Sequence, residues 1–197
     1  MKRVVITGAG TVNPLGLNVP DTLAAMRNGV CGIGPLDFRD VDRLSIKIGG
    51  QVHGFDGESQ YNRQKIALYD RFTQFTLVAA KEAIAQAGLI FHGELAARSG
   101  VVLGTAGGGV STWDDNYRSV YEDGKNRVHP FVVPKLMNNA AAAHLSTVDY
   151  LGDVPWKEHE EAKDWYARVK SRPSFRALLE DNVPGAPPQR HYANLDF

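Results

Sequence analysis

Few side chains in this sequence are of kinds that carry covalent chemistry. Cys31 is the one cysteine among 197 residues and lies between Val30 and Gly32. A catalytic thiol needs a neighbouring base or a helix N-terminus to lower its pKa. Nothing beside Cys31 offers either, so it reads as a loop residue rather than a nucleophile. One thiol also excludes an internal disulfide and a Cys-rich zinc site. The histidines His53, His92, His129, His144, His159 and His191 show no metal-ligand spacing such as HxxxH. Two glycine-rich stretches invite a nucleotide-loop reading. Gly104-Thr105-Ala106-Gly107-Gly108-Gly109 lacks the Gly-Lys-Ser/Thr ending that supplies a lysine and a metal-binding hydroxyl, and Gly8-Ala9-Gly10 is not GxGxxG because position 13 is Asn13. Glycines placed this way shape turns and admit close packing. Trp156, Trp165 and Tyr166 lie at helical spacing, which is more typical of a core than of a ligand platform. The sequence therefore offers no catalytic, cofactor-binding or metal-ligating residue, and no cofactor is expected.

The elements around these residues follow a strand, helix, strand order. Val4-Val5-Ile6-Thr7 is a continuous apolar run closed by glycines, the pattern of a buried strand ending in a tight turn. Residues 20–27 predict a short helix stopped by Gly29. Residues 45–52 alternate loosely as a strand, and residues 54–64 read as a glycine-rich polar loop. The strongest helix covers residues 70–87. Asp70 is a plausible N-cap, Phe72, Phe75, Leu77, Val78, Ala79, Ile84 and Ala87 form its apolar face, and Gly88 is a natural stop. Residues 99–104 predict a second buried strand, followed by a polar helix at 111–121 and a proline-bracketed loop at 129–134. Residues 135–146 are helix-prone because of their alanines. The composition shifts after Tyr150. Pro155 opens a helix over 155–170 with a stripe of Ala162, Trp165, Tyr166 and Val169, and Asp164 can pair with Arg168. A short helix at 174–179 and a Pro- and Gly-rich tail at 183–188 follow.

Lys+Arg 22 against Asp+Glu 22 gives zero formal charge, which leaves no electrostatic footprint for nucleic acid or an anionic membrane. Hydrophobic residues at 43% and charged residues at 22% are ordinary for a soluble globular chain. The apolar run at the N-terminus is too short for a signal-peptide core, and no stretch elsewhere is long enough to span a membrane. With one thiol, this points to a cytoplasmic protein.

Several motifs in order are similar to the N-terminal part of a β-ketoacyl-acyl-carrier-protein synthase, a condensing enzyme. They are residues 4–10, Asn13-Pro14-Leu15-Gly16, Gly32-Ile33-Gly34-Pro35, Asp70-Arg71-Phe72-Thr73-Gln74-Phe75 with Ala79-Ala80-Lys81-Glu82-Ala83, residues 100–105, and Pro134-Lys135-Leu136-Met137-Asn138-Asn139. The resemblance covers about three quarters of the chain. It implies a thiolase-like fold, a cysteine nucleophile that takes an acyl chain from its carrier, and two histidines that assist decarboxylation of malonyl carrier protein. In the family these groups lie downstream of the Asn-Asn-Ala-Ala helix. The sequence leaves the family pattern at Ser146, so no position receives those roles; His129 and His144 stand in other contexts.

From about Ala140 onward the chain resembles the C-terminal end of a bacterial glutathione S-transferase. The matching stretches are residues 141–156 and 164–175. The run Ala141-Ala142-Ala143-His144-Leu145-Ser146 fits both families, which suggests a recombination or assembly join there. The expected architecture is α/β: an incomplete thiolase-like half over 1–146, a mixed sheet with flanking helices, followed by an α-helical tail over 147–197. The expected function is that of a condensing-enzyme fragment inactive on its own. The alternatives are a non-catalytic partner of full-length condensing enzymes, a fusion product without selected function, and a glutathione S-transferase-related protein. Expected partners are acyl carrier protein, if the family function is retained, and a second copy or a full-length relative by dimerisation. An unpaired sheet edge predicts a marginal, association-prone fold with a loosely oriented tail.

Overall fold

A computed structural model of the chain describes residues 3–149. In chain order these hold α1 (Val19–Arg27), β1 (Gly34–Pro35), β2 (Ile48–Gly49), α2 (Gly57–Gln60), α3 (Arg63–Leu68), α4 (Arg71–Ala87), α5 (Gly93–Ala97), α6 (Val110–Tyr121), α7 (Val132–Leu136) and α8 (Ala140–Ala143), with a π-helical turn over His144–Asp149. The helices and tail expected beyond residue 150, with Trp156, Trp165 and Tyr166, lie outside the described residues.

The central helix α4 has the limits its sequence dictates. The Asp70 carboxylate accepts the Phe72 N–H at the first turn, and Gly88 closes the helix in the left-handed conformation at φ 63°. Thr73 and Leu77 on α4 pack with Tyr69, Ala140 and Ala141 into the small buried core. The alanines matter here because only a short side chain lets α8 lie close on α4. On the opposite side the N-terminal segment crosses α4, and a Cβ at Gly8 or Gly10 would overlap the carbonyl of Ala83 or Ala79. Two α4 side chains hold the loop that follows. Gln86 Oε1 accepts the Ala9 N–H at 2.6 Å, while Glu82 accepts the N–H of Thr11 at 3.0 Å and of Val19 at 2.8 Å.

Three sequence expectations are corrected. The apolar runs at 4–7 and 99–104 are not strands. Val4 and Ile6 are 97% and 93% exposed, and Val102 is fully exposed. A continuous apolar run becomes a strand only when neighbouring strands pair its backbone and cover both faces. Among the described residues, the one ladder joins β1 to β2 antiparallel, with Gly34 opposite Gly49 and Pro35 opposite Ile48. The loop expected at 54–64 holds α2 and the start of α3. Asp56 and Asn62 cap them by accepting the Glu58 and Lys65 N–H groups, each at 2.9 Å. Residues 135–146 are not one helix. Pro134 fits within the first turn of α7, where its missing N–H costs nothing, and the chain turns extended at Met137 before α8 begins.

Candidate functional site

The described residues gather polar chemistry at the adjoining starts of α4 and α6. Asp70 and Thr112 are 3% and 6% exposed. One Asp70 oxygen accepts both the Thr112 N–H at 2.8 Å and the Thr112 hydroxyl at 2.6 Å; the other accepts the Phe72 N–H at 3.4 Å. A single carboxylate thus terminates two helix N-termini, where the peptide dipoles favour negative charge. The glycine-rich stretch at 104–109 is built around this junction. Gly108 has φ +62°, and the Gly109 N–H donates to the Leu136 carbonyl at 2.9 Å. A Cβ at Gly109 would come within 2.7 Å of Leu136 Cα and 3.1 Å of the Asp70 carboxyl carbon. The anion a phosphate loop would recruit is here supplied by the chain itself. The packing role expected of Gly8, Gly10 and the 107–109 run is borne out.

Beside the junction, the buried Tyr69 ring meets Tyr61 and His144 edge-on, with centroids 5.4 and 4.6 Å apart. The Tyr61 hydroxyl donates to the Gln74 carbonyl at 3.2 Å, and the Gln74 amide donates to the Tyr69 carbonyl at 3.2 Å. These contacts fix α3 against α4. They bring no nucleophile together with a base.

On its other face α6 carries a charged hub. The Arg118 guanidinium binds Asp114 at 3.0 Å, Asp40 at 2.6 Å and Glu122 at 3.2 Å. Hydrogen bonds to Asp114 first and Asp40 second hold Arg118 above its already high ordinary pKa. Asp40 has φ 61°, the sole non-glycine residue with positive φ among those described, and Arg39 reaches Asp115 at 3.2 Å. Two crossing ion pairs therefore strap the 37–43 loop to α6.

The third feature is a shallow groove of about 250 Å³ between α6 and α7. Trp113, Tyr117, Val120 and Tyr121 line one side; Val128, Val132 and Leu136 line the other. The Trp113–Tyr117 and Tyr117–Tyr121 rings stack with centroids 5.3 and 5.6 Å apart. The ladder was visible in the sequence as aromatics at steps of four, but the opposite wall was not.

The candidate residues named from the sequence remain dispersed. Cys31 is exposed, and its sulfur accepts the Ile33 N–H at 3.4 Å in a local turn. His53 faces Asp37 at 3.3 Å, His92 caps α5 without a side-chain bond, His129 accepts the Phe131 N–H at 3.2 Å, and His144 lies on Tyr69. Among the described residues no three His, Cys, Asp or Glu side chains are grouped to hold a metal, and no helix is long and apolar enough to cross a membrane. The Asp70–Thr112 junction escaped sequence reasoning because nothing local links residues 42 positions apart.

Residues 1–151 match the family described as Beta-ketoacyl synthase, N-terminal domain. A 3-oxoacyl-[acyl-carrier-protein] synthase 2 from Staphylococcus aureus (strain N315) is 35% identical over 145 residues, 74% of this chain and 35% of that protein. The chain thus spans about a third of the length of the curated relatives it matches. A β-ketoacyl synthase from Burkholderia phymatum STM815 superposes with TM-score 0.60 at 26% identity, over 74% of this chain and 36% of that one. A ketosynthase solved with its type II PKS acyl-carrier protein superposes with TM-score 0.59 at 22% identity, over 74% and 38%, a likeness of fold. A glutathione S-transferase from Rhodospirillum rubrum F11 shares 42% identity over 45% of this chain and 39% of that chain, at TM-score 0.23.

Proposed function

From the premise that the chain belongs to the family of the β-ketoacyl synthase N-terminal domain, we propose that it is the N-terminal portion of a condensing enzyme of fatty acid synthesis and does not catalyse condensation by itself. The single observation that carries this reading is the family match over residues 1–151 in a chain whose one cysteine, Cys31, sits exposed in a local turn. Claisen condensation requires an activated thiolate to hold the acyl group and a base or hydrogen-bond donor to manage the developing charge. Cys31 has the Ile33 backbone as its close partner, and the four described histidines sit in separate places. In this reading residues 1–146 form the ketosynthase-like part and residues 147–197 a helical part of glutathione S-transferase type. The protein is cytoplasmic, and acyl carrier protein is its partner where the family function is retained.

The test is a decarboxylation assay on the purified full chain with malonyl carrier protein. Release of carbon dioxide at the rate of a buffer control is the expected result. Turnover that survives Cys31→Ser would mean another group does the chemistry, and turnover abolished by it would make Cys31 the nucleophile; either overturns the proposal.

A second reading is favoured by the exposed apolar run Val4-Val5-Ile6 and by the exposed Val102, which suit strand addition by an intact relative. Capture of a full-length condensing enzyme by the purified chain, abolished by Val5→Lys, would support it. Failure of such an enzyme to bind at micromolar concentration would remove it.

A further inference from the structure

The end of α1 carries a reactive pair for which the proposed function has no use. Asn28-Gly29 is the sole Asn-Gly pair in the sequence. Asn28 is the C-cap of α1 and Gly29 follows it at φ 65°, both of them exposed. We propose that Asn28 is a site of spontaneous covalent modification, converted with the help of its own neighbour to aspartyl and isoaspartyl forms.

The step uses only the chain and water. The Gly29 backbone nitrogen gives its proton to a solvent base and bonds to Asn28 Cγ. The Cγ–Nδ2 bond breaks and the amide nitrogen leaves as ammonia, closing a cyclic imide. Water then adds to either imide carbonyl. Opening at Cγ leaves aspartate in the normal chain. Opening at the backbone carbonyl carbon leaves isoaspartate, with the chain routed through Cγ. Nothing is oxidised or reduced. A side chain on the following residue would crowd the attacking nitrogen and restrict its backbone. Gly29 has none, and the space its Cβ would occupy is empty within 4 Å.

The fold singles out Asn28 from the other described asparagines. Asn13 precedes Pro14, whose nitrogen has no proton to give. The Asn18 and Asn62 side chains accept the Asp21 and Lys65 N–H groups at 2.8 and 2.9 Å, and the Asn116 amide donates to the Thr112 carbonyl at 2.7 Å. Asn126, Asn138 and Asn139 precede Arg127, Asn139 and Ala140, each of which carries a Cβ. The Asn28 side chain makes no hydrogen bond among the described residues. The Gly29 N–H is held by an exposed bond to the Met26 carbonyl at 3.2 Å. No residue of α1 is buried, so its end opens at little cost.

Conversion places a carboxylate at the C-terminal end of a helix, where the peptide dipoles disfavour negative charge. In the isoaspartyl form the added backbone carbon also pulls the Val30 N–H from the Ala25 carbonyl, which it meets at 2.9 Å. The start of α1 is pinned separately, by the Asn18 cap and by Glu82 on the Val19 N–H. The modification therefore frays the last turn of α1 and leaves the α4 core in place.

Incubation of the purified full chain in heavy-oxygen water, in an ammonium-free buffer, tests this. The sample is acidified, digested in ordinary water and read by peptide mass spectrometry, so the heavy oxygen marks carboxyls formed in the intact protein. Asn28 is expected to take up label about tenfold faster than Asn126, Asn138 or Asn139, and faster still as pH rises. Its rate in the folded chain should lie within about threefold of its rate in urea, because the fold leaves the pair open. Amide exchange of the labelled fraction should rise at Val30 and stay unchanged in α4. Label at Asn28 less than about threefold faster than at those three asparagines overturns the proposal, as does a slower folded rate than that stated. Label that persists within residues 28–39 of Asn28→Gln also overturns it, since another group would then carry the oxygen.

Discussion

Removal of the Asp70 carboxylate should open the starts of α4 and α6 together. The carboxylate caps α4 and, 42 residues on, takes both donors of the buried Thr112. Loss of an N-cap costs about 1 kcal/mol. Leaving a buried N–H and hydroxyl without their charged acceptor adds about 2 kcal/mol or more. Asp70→Ala is therefore expected to cost about 3 kcal/mol, a large share of the stability of any domain this size. Hydrogen exchange read by mass spectrometry resolves this without requiring a two-state transition, because protection reports the local opening free energy. At about 1.4 kcal/mol per decade, protection of the peptides starting α4 and α6 should fall roughly a hundredfold. Asp70→Asn keeps one oxygen for Thr112 but turns an amide donor toward the Phe72 N–H, so about a tenfold loss is expected. Thr112→Val should add little to Asp70→Ala, since both delete the same bonds. Protection in Asp70→Ala within about threefold of the parent, or full additivity of the pair, would refute the junction as the link between the helices.

Other expectations follow from the same geometry. Gly10→Ala meets the Ala79 backbone carbonyl and should destabilise by about 2 kcal/mol, whereas Gly100→Ala, with open space around it, should stay within about 0.5 kcal/mol; chemical denaturation of the two side by side checks the contrast. Arg118→Gln should raise exchange in the 37–43 loop and leave the α4 core unchanged, because the Asp40 bond is the strap between them. The pKa of Arg118 is raised, so its contribution is complete below the ordinary arginine value and is lost only as pH climbs through the raised one. Exchange in that loop, corrected for intrinsic rates, should consequently be flat from about pH 6 to 9 with respect to this group. The exposed run at 4–6 and the exposed Val102 should make the chain self-associate, and Val5→Lys with Val102→Lys should suppress it in light scattering. A sharp, reversible unfolding transition of the parent as a monomer would contradict this.

Much of the fold was legible where local chemistry decides it. Asp70 and Gly88 bracket α4 because an N-cap carboxylate and a left-handed C-terminal glycine act within one turn. The polar helix at 111–121 appears as α6 one residue earlier, and α1 begins at Val19 with Asn18 accepting the Asp21 N–H. The Asp56 and Asn62 caps carried the same kind of signal, but the glycines between 54 and 64 masked it. The ion pairs of Arg118 with Asp114 and Glu122 are spaced four residues apart and could be read directly, while the Asp40 partner could not.

By itself the sequence determined the family, the limits of α4 and the close packing of Gly8 and Gly10, since each follows from residue type and short-range spacing. Only the tertiary structure decided whether apolar runs became strands. Val4-Val5-Ile6 and Val101-Val102-Leu103 have strand composition, but a strand exists through its neighbours, and among the described residues none pairs with them. It also decided that one buried carboxylate serves two helices and that three aromatics one turn apart face a second apolar wall. Those outcomes join residues tens of positions apart, where the energy lies in contact and burial that no local pattern encodes.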